Sequence, residues 1–475
     1  MEDNFIVAIE LGSSKVTAVA GRKQPDGAIH ILACAQEPST TFMRKGRINN
    51  ISKMTQCLAG MKEKMEQKMQ KSVSRVYVGI GGFGMHTVPN TVVRRFDSKI
   101  EVTQEMVDAM CDENRTMASG ERDILEAVPQ EYRLGTQRQT DPVGFLTDSI
   151  EGNYLNIVAN ASVREEIRNC FGAAGVKIAD IPITLQALAD VTLTESQKTS
   201  GCVFVDMGAE TTSVAVYKNN LLRHLAVIPL GGANVNRDIM SLQIEDNEAE
   251  ALKLKYGAAV ADLADTDESP IALRDGRKID RTEFAGLVEA REEEIVQNVA
   301  NQIKLSGYTK EQLIGGIIVT GGASQMKNMD SLFRRVTQFD SIRFEHNIRV
   351  QLRTPDFPDF NKDGSFNGAA ALVDKGNMNC CGGALGQNKP DIFAPDEAEE
   401  EKRREKEQRL EREREEDERR KREEDERLKR EEEEQRKREE EAERKAERKA
   451  KMQARFKRIG GFFSKFVSDG EGEKD

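Results

Sequence analysis

Short apolar runs, each followed by a tight polar turn, recur along the first 375 residues of the chain. Residues 5–20 contain an apolar run, a polar turn and a second apolar run, which predicts two buried strands joined by the turn. Residues 202–217 repeat this order. Helix-like stretches separate the strand-like runs elsewhere. The repeated pattern predicts an α/β body built from two similar lobes.

The composition changes abruptly from Pro390 onward. Residues 396–450 are almost wholly charged, and Leu410 and Leu428 are their only large apolar residues. Two leucines cannot supply the seam of a coiled coil. Opposite charges four residues apart support an isolated helix by about 0.2–0.5 kcal/mol per pair. The segment is therefore either a lone solvated helix or a disordered spacer of mixed charge, and the sequence leaves both open.

Residues 451–468 combine basic and bulky apolar side chains and contain no acidic residue before Ser468. The apolar residues recur at steps of three and four, so a helix would gather them on one side. A basic helix with such a face is typical of segments that lie in the headgroup layer of an anionic bilayer. The alternative is a terminal helix that docks on a protein partner. The residues predicted to meet lipid are Phe456, Arg458, Ile459, Phe462, Phe463, Phe466 and Val467.

The net charge and the cysteine content indicate the kinds of partner and the cellular compartment to expect. The formal net charge of -11 argues against general binding of nucleic acid, whose phosphates would be repelled. The acidic start does not resemble a signal peptide, and no apolar stretch approaches the ~20 residues of a spanning helix. Seven scattered cysteines are typical of a reducing compartment. We therefore expect a cytoplasmic protein that contacts the inner face of the membrane only peripherally.

The two polar turns carry candidate phosphate chemistry. Glycine and hydroxyl side chains in a tight turn bring backbone N–H groups close to an anion, and two facing turns can hold a triphosphate. Glu10 and Asp206 precede the turns and would repel phosphate unless a cation lay between them, which implies Mg²⁺ bound through water. A third glycine turn at 320–324 would let a flat ligand approach its backbone. The absence of a Walker sequence excludes a P-loop protein.

These turns resemble those of the actin, chaperone and sugar-kinase ATPase superfamily. Within it the chain is most similar to the FtsA family, the bacterial actin-like cell-division proteins. The similarity covers about residues 5–375 and resumes at the amphipathic tip. The segments that carry it are 7–16, 128–132, 141–144, 222–224 with 228–229, and 318–323.

The resemblance implies an actin-like (ribonuclease H-like) fold, with two α/β lobes around an ATP cleft. The first lobe would carry an inserted subdomain and the second a cap. The implied boundaries are 1–83 and 164–200 for the first lobe, 84–163 for the inserted subdomain, 201–235 and 310–377 for the second lobe, and 236–309 for its cap. The composition adds a linker at 378–395, a charged helix or linker at 396–450 and the membrane-targeting helix at 451–468. The length of the charged segment differs from the short linker that the resemblance implies.

The same resemblance implies site residues. Glu10 and Gln186 are the catalytic candidates, Gln186 by orienting the attacking water. Glu10 and Asp206 would hold Mg²⁺ through its water shell. The residues expected to bind ATP are Gly12, Ser13, Ser14, Lys15, Asp206, Gly208, Thr211, Thr212, Glu250, Lys253, Gly321, Gly322 and Ala323.

The second turn departs from the family pattern. Ala209 and Glu210 replace two glycines, and Ser213 stands where relatives often carry an aspartate. Glu210 adds a negative charge near the expected phosphates, and either points away from them or weakens nucleotide binding. These changes argue against efficient ATP hydrolysis.

The function implied by the resemblance is that of a cytoskeletal adaptor. Such a protein binds ATP, assembles into filaments, tethers FtsZ filaments to anionic lipid of the inner membrane and recruits later division proteins. Residues 281–308 are the expected FtsZ contact. The alternatives are a small-molecule kinase of the same superfamily and an actin-like protein of pilus assembly. The absence of a sugar-site motif argues against the first, and the lipid-type tip argues against the second.

Overall fold

The computed structural model describes residues 4–116, 122–263, 269–360 and 362–385, together with Lys445, Arg448 and Lys451, each of which is helical. The chain divides into one unit that spans 1–389 and a second that spans 390–475. Most of the charged segment and the predicted lipid-facing residues from Phe456 to Val467 lie outside the described residues. Within the described ranges, no helix combines the length and the apolar character needed to cross a bilayer.

The first lobe begins with a mixed sheet of parallel and antiparallel strands whose two central strands are largely buried. The first of them is apolar from Ile6 to Ile9, because helices or loops cover both of its faces. A 19-residue helix follows, and Asn50 caps it by accepting a hydrogen bond from the Lys53 N–H. The elements of this part are β1 (Phe5–Leu11), β2 (Lys15–Lys23), β3 (Ile29–Pro38), β4 (Met43–Arg44), β5 (Arg47–Ile48), α1 (Ile51–Met69), β6 (Lys71–Val73) and β7 (Arg75–Gly79).

A subdomain with its own small core follows β7. Long antiparallel strands form its sheet, and one helix packs on that sheet through Met110. Tyr132 and Tyr154 meet edge to face inside this core, with ring centroids 6.3 Å apart. The elements are β8 (His86–Glu101), α2 (Gln104–Thr116), β9 (Arg122–Leu134), β10 (Gln137–Gln139) and β11 (Leu146–Asn160).

The chain then returns to the first lobe before it crosses to the second. Thr194 and Gln197 form a reciprocal capping box at the start of the last helix before the crossing. The elements are α3 (Ser162–Ala173), β12 (Lys177–Asp180), α4 (Thr184–Thr192) and α5 (Glu195–Ser200).

The second lobe repeats the strand–turn–strand arrangement of the first and adds a helical cap. A 25-residue helix, capped by Asp280, connects the cap to the sheet. The elements are β13 (Cys202–Met207), β14 (Thr212–Lys218), β15 (Leu221–Ile228), α6 (Gly232–Met240), α7 (Asp246–Tyr256), β16 (Ile271–Ala272), β17 (Lys278–Ile279), α8 (Arg281–Leu305), β18 (Ile317–Thr320), α9 (Met329–Thr337) and β19 (Ile342–Phe344).

The last described elements return to the first lobe. They are β20 (Leu352–Arg353), α10 (Asn367–Lys375) and β21 (Cys381–Ala384). β20 pairs with β3, and the buried residues 369–373 of α10 belong to the core of the first lobe. The assignment of all of 310–377 to the second lobe is therefore wrong. The predicted linker at 378–395 also begins too early, since β21 pairs with β6.

Two sheets organise the lobes. The first has the strand order β12-β7-β1-β2-β3-β20. The second has the order β10-β9-β11-β8-β15-β14-β13-β18-β19, so the sheet of the inserted subdomain continues into the sheet of the second lobe. β1 and β13 lie inside their sheets, and each is followed by a polar turn. Both turns line the same cleft.

Candidate nucleotide-binding cleft

A cleft of about 700 Å³ lies between the lobes. The turns after β1, β13 and β18 form its walls, together with α7 of the cap. The structure thus brings most of the predicted site residues together from distant parts of the sequence. Those that line the cleft are Glu10, Gly12, Ser13, Ser14, Lys15, Asp206, Gly208, Thr211, Glu250, Lys253, Gly321, Gly322 and Ala323.

The first turn is tight and tied to its own lobe. A Cβ atom on Gly12 would lie 2.4 Å from the Lys15 carbonyl oxygen, so the backbone here has no room for a side chain. The Ser39 hydroxyl donates to the Gly12 carbonyl at 2.7 Å. The Ser13 hydroxyl oxygen accepts from the Gly46 N–H at 2.7 Å. These bonds fix the turn while Ser14, which is exposed, faces the cleft.

The second turn is closed by backbone hydrogen bonds. The Gly208 N–H donates to the Thr211 carbonyl at 2.8 Å. The first N–H groups of α6 are also used, because Gly232 donates to the Gly208 carbonyl at 3.1 Å and Ala233 to the Ala209 carbonyl at 2.7 Å. Helix α6 therefore braces the turn, and its N-terminal amides point at protein carbonyls.

Thr212 does not reach the cleft, which corrects the prediction for this residue. It is the first residue of β14, is fully buried, and donates from its hydroxyl to the Leu230 carbonyl at 2.9 Å. Side chains alternate along a strand, so the following residue, Ser213, lies on the cleft instead.

Gln186 also lies apart from the cleft lining. Its side-chain amide donates to a carboxylate oxygen of Glu126 at 3.4 Å, in the inserted subdomain. Thr184, Leu185 and Leu188 are the described residues of α4 that line the cleft. Each helical residue is turned by about 100° from the one before it, which directs position 186 away from that face. The structure therefore does not support the expected role of Gln186 in orienting water.

Two carboxylates occupy the floor of the cleft, each beneath a glycine. A Cβ on Gly368, at the start of α10, would lie 2.2 Å from Oε1 of Glu10. A Cβ on Gly321 would lie 2.5 Å from Oδ1 of Asp206. Burial and, to a smaller extent, the nearby Asp206 raise the pKa of Glu10 to about 7, although Lys15 and the backbone N–H of Ala369 oppose the rise. Burial also raises the pKa of Asp206 to about 6.

We expect these two acids to make the ligand-free protein less stable as pH rises. A carboxylate whose pKa is higher in the folded state holds a proton that the unfolded chain has lost, so its contribution to stability disappears as pH passes through the folded pKa. For Glu10 this window runs from the ordinary value of 4.5 to about 7. Thermal unfolding between pH 5 and pH 8 should show a loss of stability to which Glu10 contributes on the order of 2 kcal/mol, and Glu10→Gln should remove that contribution while the contribution of Asp206 remains. Parallel curves for the two proteins would contradict this expectation.

The cap contributes a preformed polar group to the cleft. Nζ of Lys253 donates to Oε2 of Glu250 at 2.7 Å and to the Gly232 carbonyl at 3.2 Å. The Asn236 amide donates to the same Glu250 oxygen at 2.6 Å. Burial opposes ionisation of Glu250, but these hydrogen bonds outweigh it and lower the pKa of the carboxyl.

Glu210 lines the cleft and bridges the two lobes. Its carboxylate accepts from the backbone N–H of Lys45 in the first lobe at 2.6 Å. It also accepts from the Arg237 guanidinium on α6 at 2.6 Å. Both carboxylate oxygens are thus engaged, and the extra negative charge is paired with a cation.

Several cleft residues have no counterpart in the predicted set. Glu292 could have been found from the sequence, since it occupies a core position of α8, four residues after Val288 and four before Val296. Gly368 is the second residue of α10, an alanine-rich helix, and this position is a weaker sequence signal for a cleft residue. The described lining residues that sequence reasoning missed include Thr184, Ser213, Asn236, Glu292, Asn367 and Gly368.

Comparison with known proteins gives the family. A family model described as "Cell division protein FtsA" matches residues 203–370, and one described as "SHS2 domain inserted in FTSA" matches 82–158. The chain is 30% identical to the cell division protein FtsA of Neisseria meningitidis over 332 residues, which cover 68% of this chain and 80% of the relative. It is 27% identical to that of Porphyromonas gingivalis over 341 residues, 70% of this chain and 71% of the relative.

The fold agrees with this result. A solved structure of a "PilM-PilN type IV pilus biogenesis complex" superposes with a TM-score of 0.54 at 13% identity, and the match covers 78% of this chain and 98% of that one. A likeness at this identity concerns the fold alone. Together with the sequence matches, these findings show that the chain has an actin-like fold with an inserted SHS2 domain and belongs to the FtsA family of cell-division proteins.

Proposed function

We propose that this protein binds ATP with Mg²⁺ in the interlobe cleft and tethers FtsZ filaments to the inner face of the cytoplasmic membrane. The observation that carries the proposal is the cleft itself, where two backbone-rich turns face each other above the paired acids Glu10 and Asp206. Membership of a cell-division family supports the choice of partner. Recruitment of later division proteins belongs to the same proposal.

The chemistry of the cleft suits a magnesium nucleotide. Gly12, Ser14 and Thr211 offer backbone N–H groups and hydroxyls to phosphate, Gly208 leaves the second turn without a side chain, and Lys15 offers a positive charge. Two carboxylates of raised pKa favour a hard divalent cation, which would offset their repulsion and that of the phosphates. Among the residues that the structure places, no group of three or more His, Cys, Asp or Glu could hold a metal ion. Glu10 and Asp206 would therefore hold the cation through its water shell.

We propose that turnover of bound ATP is slow at most. Ser213 lines the cleft where relatives often carry an aspartate, and a serine hydroxyl is a poor general base at neutral pH. Gln186 bonds to Glu126 and is absent from the described lining. Nucleotide in this cleft would then act mainly by holding the lobes together, which suits an assembly protein.

Membrane attachment is assigned to residues 451–468. A single amphipathic helix binds a bilayer weakly, and many such helices along one filament bind firmly. Head-to-tail assembly of the actin-like body would supply that multiplicity. A charged segment of 55 residues between body and tip would span roughly 80 Å if wholly helical, at 1.5 Å per residue.

Vesicle sedimentation tests the proposed function. The full-length protein with ATP and Mg²⁺ should bring FtsZ into the pellet with vesicles that contain phosphatidylglycerol, and FtsZ alone should remain in solution. In a helix, Phe463 would lie near the centre of the apolar face and Ser464 on the polar face. Phe463→Glu should lower the bound fraction about tenfold, because burial of one phenylalanine contributes roughly 1.5–3 kcal/mol.

Ser464→Glu introduces the same charge on the opposite face and is the matched control. We expect it to leave most of the binding intact. Equal losses in the two variants would show that charge alone governs binding, and would contradict an apolar membrane contact. Binding by both variants at the level of the parent protein would remove the tip from the mechanism.

A further inference from the structure

Glu292 is a buried acid on the wall of the cleft. It lies on α8, is 0% exposed, and belongs to the lining described above. Its neighbours at helical spacing, Val288, Ile295 and Val296, are core residues of the cap and of the second lobe. The side chain therefore sits where an apolar residue would complete the core.

The Glu292 carboxyl has no partner in the described part of the chain. Neither Oε1 nor Oε2 of Glu292 makes a hydrogen bond there, and the same is true of Oδ1 of Asn236, which lines the same cleft. Lys253 is the charged neighbour, but its ammonium group already donates to Glu250 and to the Gly232 carbonyl. Burial raises the pKa of Glu292 to about 7.

This arrangement costs stability in the empty protein. A buried polar atom without a hydrogen bond lowers the stability of the folded state, and an apolar residue of similar volume would avoid that cost. All the unpartnered atoms of Glu292 and Asn236 are oxygens that can accept hydrogen bonds. A ligand that satisfies the ionised Glu292 carboxylate and the Asn236 oxygen must present N–H or O–H groups at this end of the cleft.

The phosphates of a nucleotide cannot be that ligand part, because they too are acceptors. They also have their expected place at the turns after β1 and β13, which carry the amides and Lys15. The nucleoside does carry donors: an amino group on the base and hydroxyl groups on the ribose. Glu250 and Lys253, which flank the same part of the cleft, lie on the cap with Asn236.

We propose that Glu292 and Asn236 accept hydrogen bonds from the nucleoside of the bound nucleotide, and that Glu292 thereby determines which nucleoside is selected. The inference rests on the proposed binding of nucleotide. It adds a selectivity residue on α8 to the turns and the cap helix α7, and it explains why a glutamate is tolerated at a core position.

Binding of ATP analogues to two forms of the full-length protein tests the assignment. The probes are ATP, inosine triphosphate, which lacks the 6-amino group, and 2′-deoxy-ATP and 3′-deoxy-ATP, which each lack one hydroxyl. The parent protein should bind at least one analogue about tenfold more weakly than ATP, because that analogue lacks the donor of one hydrogen bond; this factor corresponds to about 1.4 kcal/mol. The analogue that loses affinity identifies the donor.

Glu292→Met removes the acceptor at similar volume. It should bind ATP about tenfold more weakly and should bind that analogue as well as it binds ATP. Glu293→Met is the matched control, because Glu293 pairs with Arg335 on the outer side of the same helix at 3.3 Å. The control should keep the discrimination of the parent. If methionine disturbs the packing, Glu292→Leu repeats the test with a second apolar side chain. Thermal unfolding shows whether each variant is folded.

The outcomes separate this inference from the proposed function. Unchanged discrimination in Glu292→Met, or an equal loss of affinity for all four nucleotides, would overturn the role of Glu292 while leaving nucleotide binding in place. A parent protein that binds none of the four would overturn the proposed function itself, and this inference with it.

Discussion

Replacing Gly321 with alanine is expected to abolish ATP binding and to lower the free energy of unfolding by about 3 kcal/mol or more. Gly321 has φ +94 and ψ 161, a region that is essentially restricted to glycine and costs other residues about 1–3 kcal/mol. The new Cβ would also lie 2.4 Å from the Met207 carbonyl oxygen and 2.5 Å from Oδ1 of Asp206. The backbone of β13 must shift to make room, and Asp206 moves with it.

Gly322→Ala is a demanding control for this prediction. Gly322 is the next residue and lines the same cleft, yet a Cβ placed there would meet nothing within 4 Å. Urea unfolding should therefore find Gly322→Ala about as stable as the parent protein, whereas Gly321→Ala loses stability. If both variants bind ATP as the parent does, the turn after β18 is not part of the nucleotide site.

Glu210→Ala is expected to weaken ATP binding about thirtyfold. The carboxylate ties the first lobe to the second through the Lys45 N–H and Arg237, and hydrogen bonds of charged groups contribute about 1.5–3 kcal/mol. A cleft that is less often closed binds its ligand more weakly in proportion to the lost population. A loss of roughly 2 kcal/mol corresponds to this factor.

The opposite result is also informative for Glu210. If the carboxylate acted mainly by repelling the phosphates, its removal would tighten ATP binding. Glu210→Gln helps to distinguish the two effects, since it removes the charge but keeps an oxygen that can accept from Lys45. We expect the glutamine variant to bind ATP with an affinity between those of the parent and of Glu210→Ala. Rapid-dilution measurements of nucleotide release would show whether the change lies in the dissociation rate.

The local order of apolar and polar residues was enough to predict the two turns of the cleft that follow β1 and β13. The turns after β1 and β13 are each set by a glycine and polar residues between two apolar runs, so Glu10 and Asp206 could be placed from the sequence. The family resemblance supplied Glu250 and Lys253 of the cap. To predict the positions of these residues, it is enough to know the element that carries each one and how the lobes are arranged in the superfamily.

The features that the sequence did not predict depend on contacts between residues far apart in the chain. β20 has only two residues, and its pairing with β3 crosses more than three hundred positions, so no local signal shows that the chain returns to the first lobe. The orientation of Thr212 depends on where β14 begins, and one residue of difference changes the face. Glu126, which holds Gln186, comes from the inserted subdomain. Such partners are set by tertiary structure.

The inserted subdomain is joined to both lobes by different means. Covalent connections and the hydrogen bond from Gln186 to Glu126 attach it to the first lobe. Backbone pairing of His86 with Ala226 and a hydrogen bond from the Val227 N–H to the Met85 carbonyl attach it to the second. A hinge motion of the lobes would therefore either break these hydrogen bonds to the second lobe or rotate the subdomain together with that lobe. In the second case the long antiparallel pair of β8 and β11 acts as a lever, which converts a small rotation at the cleft into a larger displacement at the far end of the subdomain.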